Sequence, residues 1–446
     1  MPGNPPKTRT IKVDMLTRVE GEGALHVTVR NQQVEDVQLR IFEPPRFFEE
    51  FLRGRHAREV PDFVARICGI CPVAYQMSAV HALEPIFQVG IPDAIRRLRR
   101  LLYCAEWIES HALHMYLLHA PDFLGYESGM DMARHHPDLV KRGLRIKKAG
   151  NALLACLGGR SVHPVSVTLG GFSRVPLPRE LQALADELRW ARDAALETLR
   201  WVAGFDFPGP EQDYTFVALQ SSVEYPMNEG LIASNRGLSI PASAFEERFH
   251  ERQVPHSHAL QCTLDGASYL AGPLARLHLN VDRLPPLAKQ ALDATGLRLP
   301  FRRASLSIVA RAVEVVFALD EAVRFIEAYT PPSMPAVPVT IKEGVGMAAT
   351  EAPRGLLYHR YLVGHDGTIR EAKIVPPTSQ NQLRIEDDLR TYLPHVLHLP
   401  TSKIAQGCER LIRSYDPCIS CATHFLKLHL HRSESSALVR THRHYP

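Results

Sequence analysis

Arg66-Ile67-Cys68-Gly69-Ile70-Cys71-Pro72 lies near the start of the chain, and Asp416-Pro417-Cys418-Ile419-Ser420-Cys421-Ala422-Thr423-His424 lies near its end. Each stretch holds a Cys-x-x-Cys pair, and two thiolates so spaced can grip one soft metal ion from a single turn. A zinc ribbon sets its pairs roughly 15–20 residues apart. Here most of the protein separates them, which argues against a local zinc finger. Spacing alone leaves three readings open: one shared metal site, two independent redox pairs, or buried structural thiols. If the pairs share one centre, the chain ends meet in space, and the molecule is one large compact unit rather than a string of domains.

Working outward, 446 residues at roughly 150 per domain have room for about three domains. A hydrophobic share of 45% against 22% charged supplies an ordinary core. The 52 Lys and Arg nearly balance 48 Asp and Glu, and the basic residues are scattered, which argues against nucleic-acid binding. No apolar run reaches the ~18 residues a membrane span requires. Met1 to Thr10 has no apolar stretch and does not read as a secretory signal. Eight cysteines are too sparse for a disulfide framework and fit a reducing compartment, with the cytoplasm as the expected location.

The pattern predicts strands at Ile11–Leu16, Ala24–Arg30 and Val34–Ile41, with Asn31-Gln32-Gln33 as a hairpin turn. Helices are expected over Pro45–Leu52, stopped by Gly54, and over Ile95–Leu118, Pro178–Val202 and Leu306–Tyr329. Residues 205–274 read as a strand-and-loop insertion. Leu356–Val363 and Thr368–Val375 form a second hairpin around His365-Asp366-Gly367. The expected class is α+β, mainly helical, with a central helical core and small peripheral β-sheets.

The flanks of the two cysteine pairs resemble the large, catalytic subunit of nickel–iron hydrogenases, which carry Arg-x-Cys-Gly-x-Cys early and Asp-Pro-Cys-x-x-Cys-x-x-His late. Further elements are similar to that family in the same order. They are Arg18-Val19-Glu20-Gly21, Gly158-Gly159-Arg160-Ser161-Val162-His163-Pro164 followed by Gly170-Gly171-Phe172, and Ala352-Pro353-Arg354-Gly355. The similarity runs from about residue 11 to 424 and implies one large-subunit domain over residues 1–424.

The resemblance implies a nickel ion held by Cys68, Cys71, Cys418 and Cys421, with Cys71 and Cys421 bridging to an iron that carries carbon monoxide and cyanide. Soft thiolates suit nickel of variable oxidation state. Glu20 would relay protons, since a carboxyl in an apolar site can have its pKa raised towards neutrality. Arg354 resembles the arginine suspended over the metals. Asp122 and Asp416 match two acids that orient it, Pro353 completes the roof, and Thr378 fits the hydroxyl facing cyanide. A magnesium ion would take Glu49, the carbonyl of Ile374 and His424, keeping several waters. Cys104, Cys156, Cys262 and Cys408 lack partner spacing and read as buried thiols.

Some positions depart from the pattern. Tyr75 stands where many members have a histidine near a bridging sulfur, and Glu22 where several have His. Cys71-Pro72-Val73-Ala74-Tyr75-Gln76 and Pro377-Thr378-Ser379-Gln380-Asn381 look most like the cytoplasmic, nicotinamide-linked branch. Precursors in the family are cut after the residue matching His424, so 425–446 reads as an extension removed on maturation by an endopeptidase, after nickel-insertion proteins have acted.

The implied activity is reversible heterolytic cleavage of dihydrogen into protons and electrons. The chain has no spare cysteine set for iron–sulfur clusters and no glycine-rich dinucleotide fingerprint. Electrons would therefore pass to an iron–sulfur small subunit and then to flavin (FAD) and NAD(P) subunits. The alternative is a hydrogen-sensing subunit with the same metal centre and low turnover.

Overall fold

The computed structural model describes residues 8–423; His424 and the extension 425–446 lie outside them. The chain begins with an antiparallel sheet of β1 (Thr8–Val13), β2 (Gly23–Arg30) and β3 (Gln33–Ile41). Leu25, Val27 and Val29 of β2 and Val37, Leu39 and Ile41 of β3 are buried, following the two-residue period of a half-covered strand. The hairpin closes on Asn31 and Gln32, at φ 50° and 61°, a two-residue turn whose twist matches the strands. Gln33 belongs to β3 rather than to the turn.

α1 (Phe48–Leu52) starts later than the expected Pro45. Phe47 is left-handed at φ 55°, and Pro44 and Pro45 cannot donate to a helical ladder. The chain then passes through the first cysteine pair into α2 (Pro72–Ile86), whose residues are buried nearly all round. α3 (Asp93–Leu113) is the central rod. The single helix expected to reach Leu118 instead widens into a π-helical turn at His114–His119, before α4 (Ala120–Leu124). Such widened turns concentrate at functional sites.

α5 (Pro137–Gly158) and α6 (Ala185–Ala203) follow. α5 lies against α3 closely enough that a Cβ on Gly150 would sit 2.9 Å from the Glu109 nitrogen. The expected helix Pro178–Val202 is split, because the Leu184 amide bonds the Leu181 carbonyl at 2.9 Å in a tighter turn.

Short strands come next: β4 (Phe216–Gln220), β5 (Leu231–Ser234), β6 (Ser239–Ile240) and β7 (Leu270–Ala271), in one sheet ordered β7-β4-β5-β6. α7 (Pro273–Asn280) leads to α8 (Ser307–Glu327), which packs on α3, α6 and α7 to close the helical core.

A second antiparallel sheet joins β8 (Gly344–Ala352), β9 (Gly355–Val363) and β10 (Ile369–Val375), with α2 against β8 and β9. α9 (Pro377–Tyr392), α10 (Thr401–Ser414) and the short α11 (Ile419–Ala422) complete the described chain. The first turns of α9 are polar yet buried, because their side chains satisfy strand edges. Gln380 Nε2 donates to the Val375 carbonyl at 3.2 Å, Asn381 exchanges two 2.9 Å bonds with the Ala271 backbone, and Gln382 donates to the Leu39 carbonyl at 3.1 Å. Buried polar groups so paired fix strand positions. The class is α+β and mainly helical, as the sequence implied.

Candidate metal centre

Both cysteine pairs sit at the starts of helices. Cys71 caps α2, where Pro72 occupies the first turn. The amides of Val73 and Ala74 donate to the Glu106 carboxylate of α3 at 2.6 and 3.1 Å, which pins this end of α2 to the central rod. Cys418 caps α11. Its strand-like backbone pairs with Glu20, and the Ile419 amide bonds the Glu20 carbonyl at 2.9 Å. Arg46 ties the two motifs together by donating to the carbonyl of Ile67 at 2.6 Å and to that of Ser420.

The four thiol sulfurs lie within 4.8 Å of one another and all are buried. Cys68 Sγ is 3.4 Å from Cys418 Sγ, Cys71 Sγ is 3.6 Å from Cys421 Sγ, and Cys418 Sγ is 2.8 Å from Cys421 Sγ. None is in a disulfide. Hydrogen bonds from the other three thiols lower the pKa of Cys68 well below the ordinary thiol range. Burial comes first in pushing Cys418 and Cys421 up, and Cys71 is also raised. One thiolate is thus stabilised by three thiols, and full deprotonation calls for a cation among them. Four convergent soft donors in a dry site fit nickel and iron.

A model of the nickel-dependent hydrogenase family matches residues 46–138 and 262–424, the two segments that carry these thiols. The chain belongs to that family. Sulfhydrogenase 2 subunit alpha of Pyrococcus furiosus is 31% identical over 421 residues, covering 94% of this chain and 100% of its own. NAD-reducing hydrogenase HoxS subunit beta of Cupriavidus necator is 26% identical over 470 residues, covering 94% of this chain and 95% of its own. Among solved structures, an NAD+-reducing NiFe hydrogenase in the H2-reduced state aligns with a TM-score of 0.82 at 25% identity, over 93% of this chain and 99% of that one. A NiFeSe hydrogenase from Desulfomicrobium baculatum shares the fold, with a TM-score of 0.77 at 22% identity over 93% of this chain and 100% of that one. This protein is therefore a hydrogenase oxidoreductase of the large-subunit fold, and its named relatives are subunits of larger hydrogenases. No helix among the described residues is long and apolar enough to cross a membrane.

Around the thiols of this hydrogenase, Glu20 Oε2 accepts from Cys418 Sγ and from the Ser420 amide, both at 3.1 Å. Burial, and then the charge of Cys68, raise the Glu20 pKa above the usual carboxylate value against the pull of those bonds. Arg354 is buried in the two-residue turn between β8 and β9. It donates from Nε to the Asp416 carbonyl at 2.8 Å, from Nη2 to Asp416 Oδ1 at 3.1 Å and from Nη1 to Ser110 Oγ at 3.3 Å. Burial alone would lower its pKa, but the Asp416 carboxylate first, and then the cluster of cysteine sulfurs, hold it well above the usual value. Asp416 Oδ2 has no hydrogen-bond partner among the described residues and lies 4.0 Å from Arg311 Nε. Thr378 Oγ1 accepts from the Cys418 amide at 3.0 Å.

The carboxylate of Asp122, expected to orient Arg354, is engaged by two other arginines. It bonds Arg18 at 2.7 Å and Arg413 through two contacts of 2.8 Å. Burial favours its neutral form, but the Arg413 hydrogen bond and both guanidinium charges outweigh this and lower its pKa. Asp122 thus joins the segment leading to Glu20 with the helix end leading to Asp416.

Glu49 Oε1 accepts from the Ile374 amide at 2.7 Å, so two of the three expected magnesium ligands are neighbours; His424 lies outside the described residues. Tyr75 is buried against the thiols, and burial is the first cause that raises its pKa well above the phenol range. Sequence reasoning missed Ser110, Arg311 and Glu106. The available signal was a set of ionisable or polar residues inside long, mostly apolar helical runs, Leu101–Leu113 and Ile308–Leu319.

Proposed function

We propose that this subunit splits dihydrogen reversibly and heterolytically into two protons and two electrons. Cys68 and Cys418 would bind nickel terminally, while Cys71 and Cys421 would bridge it to an iron carrying carbon monoxide and cyanide. The bound metal pair supplies the Lewis acidity that dihydrogen lacks and an outlet for its electrons. The observation that carries this reading is the gathering of four buried thiols within 4.8 Å of one another, with a carboxyl bonded to one of them and the buried Arg354 guanidinium near enough to feel their charge.

In this reading the Cys418 sulfur takes the proton and passes it to Glu20 Oε2, 3.1 Å away. The raised Glu20 pKa suits a group that must both accept and release a proton. Arg354, fixed by Asp416, offers positive charge in a water-poor site, where preorganised donors act most strongly. Pro353 would roof the site, and Thr378, whose oxygen accepts from the Cys418 amide, would offer its hydroxyl to cyanide. Glu49, Ile374 and His424 would hold magnesium.

Electrons would leave through an iron–sulfur small subunit to flavin and NAD(P) subunits in the cytoplasm, a coupling supported by similarity to the NAD-reducing hydrogenases. Residues 425–446 would be cut away once nickel is in place.

Infrared spectroscopy of the complex, purified anaerobically from its native host, tests the proposal. Intrinsic carbon monoxide and cyanide bands that shift under dihydrogen are expected. A matured protein without such bands, holding zinc in place of nickel, would refute it.

A further inference from the structure

Arg276, on the first turns of α7, is fully buried and spends all five of its N–H donors. Nε and Nη2 donate to the two oxygens of Glu314 at 2.8 and 2.7 Å. Nη1 donates to Glu351 Oε2 at 3.0 Å and to the Ala352 carbonyl at 2.8 Å, and Nη2 also donates to the Pro353 carbonyl at 2.9 Å. The last two acceptors are the backbone groups that directly precede Arg354.

The acceptors are themselves held. Glu314 of α8 also receives the Tyr225 hydroxyl at 2.8 Å and pairs with His111 Nε2 at 2.9 Å. Glu351 of β8 also receives the Leu219 amide at 2.6 Å. The guanidinium lies 4.4 Å from the centre of the Trp107 ring. Four core elements therefore fix one planar group, leaving it no soft direction. One turn earlier, at the cap of α7, Gly272 lets the Arg354 carbonyl approach: a Cβ there would stand 2.8 Å from that oxygen. The start of α7 thus holds the Arg354 turn from both sides.

Stability alone is a poor account of such a cluster, because buried ion networks often give no more stability than well-packed apolar residues. A rigid fork is what accurate placement of a neighbouring group requires. We propose that Arg276 is the positioning residue for Arg354, holding the β8–β9 turn so that the Arg354 guanidinium is fixed over the four thiols. This rests on the role given to Arg354 under the proposed function.

The test compares the purified holoenzyme complex with its Arg276→Lys, Arg354→Lys and double variants, and with Arg99→Lys. Arg99 is a buried arginine paired with Glu84 that touches none of the site. Nickel and iron content, infrared band positions, kcat and KM for dihydrogen are read for each.

Arg276→Lys is expected to keep its metals and to shift the cyanide bands in the direction seen for Arg354→Lys. It should lower kcat by about ten- to hundredfold, as a displacement of order 1 Å does, with KM unchanged. The double variant should be no slower than Arg354→Lys alone, and Arg99→Lys should leave the bands in place. Unmoved bands in Arg276→Lys, or losses that multiply in the double variant, overturn the inference. If Arg276→Lys does not fold, Glu351→Gln replaces it, with unmoved bands again overturning the inference. Absence of diatomic bands from the unsubstituted complex would instead overturn the proposed function, and this inference with it.

Discussion

Replacing Glu20 with Gln removes a titratable proton while leaving the local bonding intact. Glu20 Oε2 accepts from both Cys418 Sγ and the Ser420 amide at 3.1 Å, and the single oxygen of Gln can take both roles. The stability change should stay within about 1 kcal/mol. The catalytic change should be far larger, since a positioned acid–base group contributes roughly 10²–10⁴-fold, or about 3–5 kcal/mol of barrier. Glu20→Asp draws the carboxyl back by about 1.5 Å, out of bonding reach of Cys418, and should fall between the two. The assay follows D2/H2O exchange by mass spectrometry beside the para–ortho conversion of dihydrogen, which requires splitting but no proton escape. Glu20→Gln should lose exchange by about a hundredfold or more, while metal content and para–ortho conversion survive. Exchange persisting at the wild-type rate would refute the relay.

Asp122→Asn leaves Arg18 and Arg413 without their buried counter-charge and should cost roughly 3–5 kcal/mol in denaturant melts. The Asp122 pKa is lowered from 3.8, so its contribution is complete above that value and lost as pH falls through the lowered one; the gap between wild type and variant should close in acid. Gly272→Ala sets a Cβ 2.8 Å from the Arg354 carbonyl at φ +125°. It should destabilise by roughly 1–3 kcal/mol and shift the cyanide bands; wild-type melting and unmoved bands would contradict that. Burial raises Glu351 from 4.5 to about 7, so the unfolded chain ionises first and wild-type stability falls as pH rises through that window. Gln does not titrate, and Glu351→Gln should gain on wild type by up to about 3 kcal/mol between pH 5 and 8. A gap independent of pH would contradict this.

The thiol centre was legible because its donors lie in two compact motifs whose flanks identify them. The central helix and the hairpins announced themselves by periodicity. α2 was passed over because it is buried nearly all round and has no polar face to set a period. The run beginning Pro377-Thr378-Ser379-Gln380-Asn381 looks like loop chemistry, yet it forms a buried helix because strand edges need its amides. The partners of Asp122 were unreadable for another reason: Arg18 and Arg413 are 104 and 291 positions away. Local pattern carries no information about a pairing at that distance.

Cys68 and Cys418 touch across 350 positions of sequence. At about 5–20 residues per second, a ribosome needs roughly 20–70 s to make the intervening chain. Throughout that interval Cys68 and Cys71 are a dithiol whose partners do not yet exist, open to oxidation or to capture by a competing soft ion. Metal loading is therefore an event of chain completion. A cell making this protein must keep the early pair reduced and zinc-free until the second cysteine pair arrives.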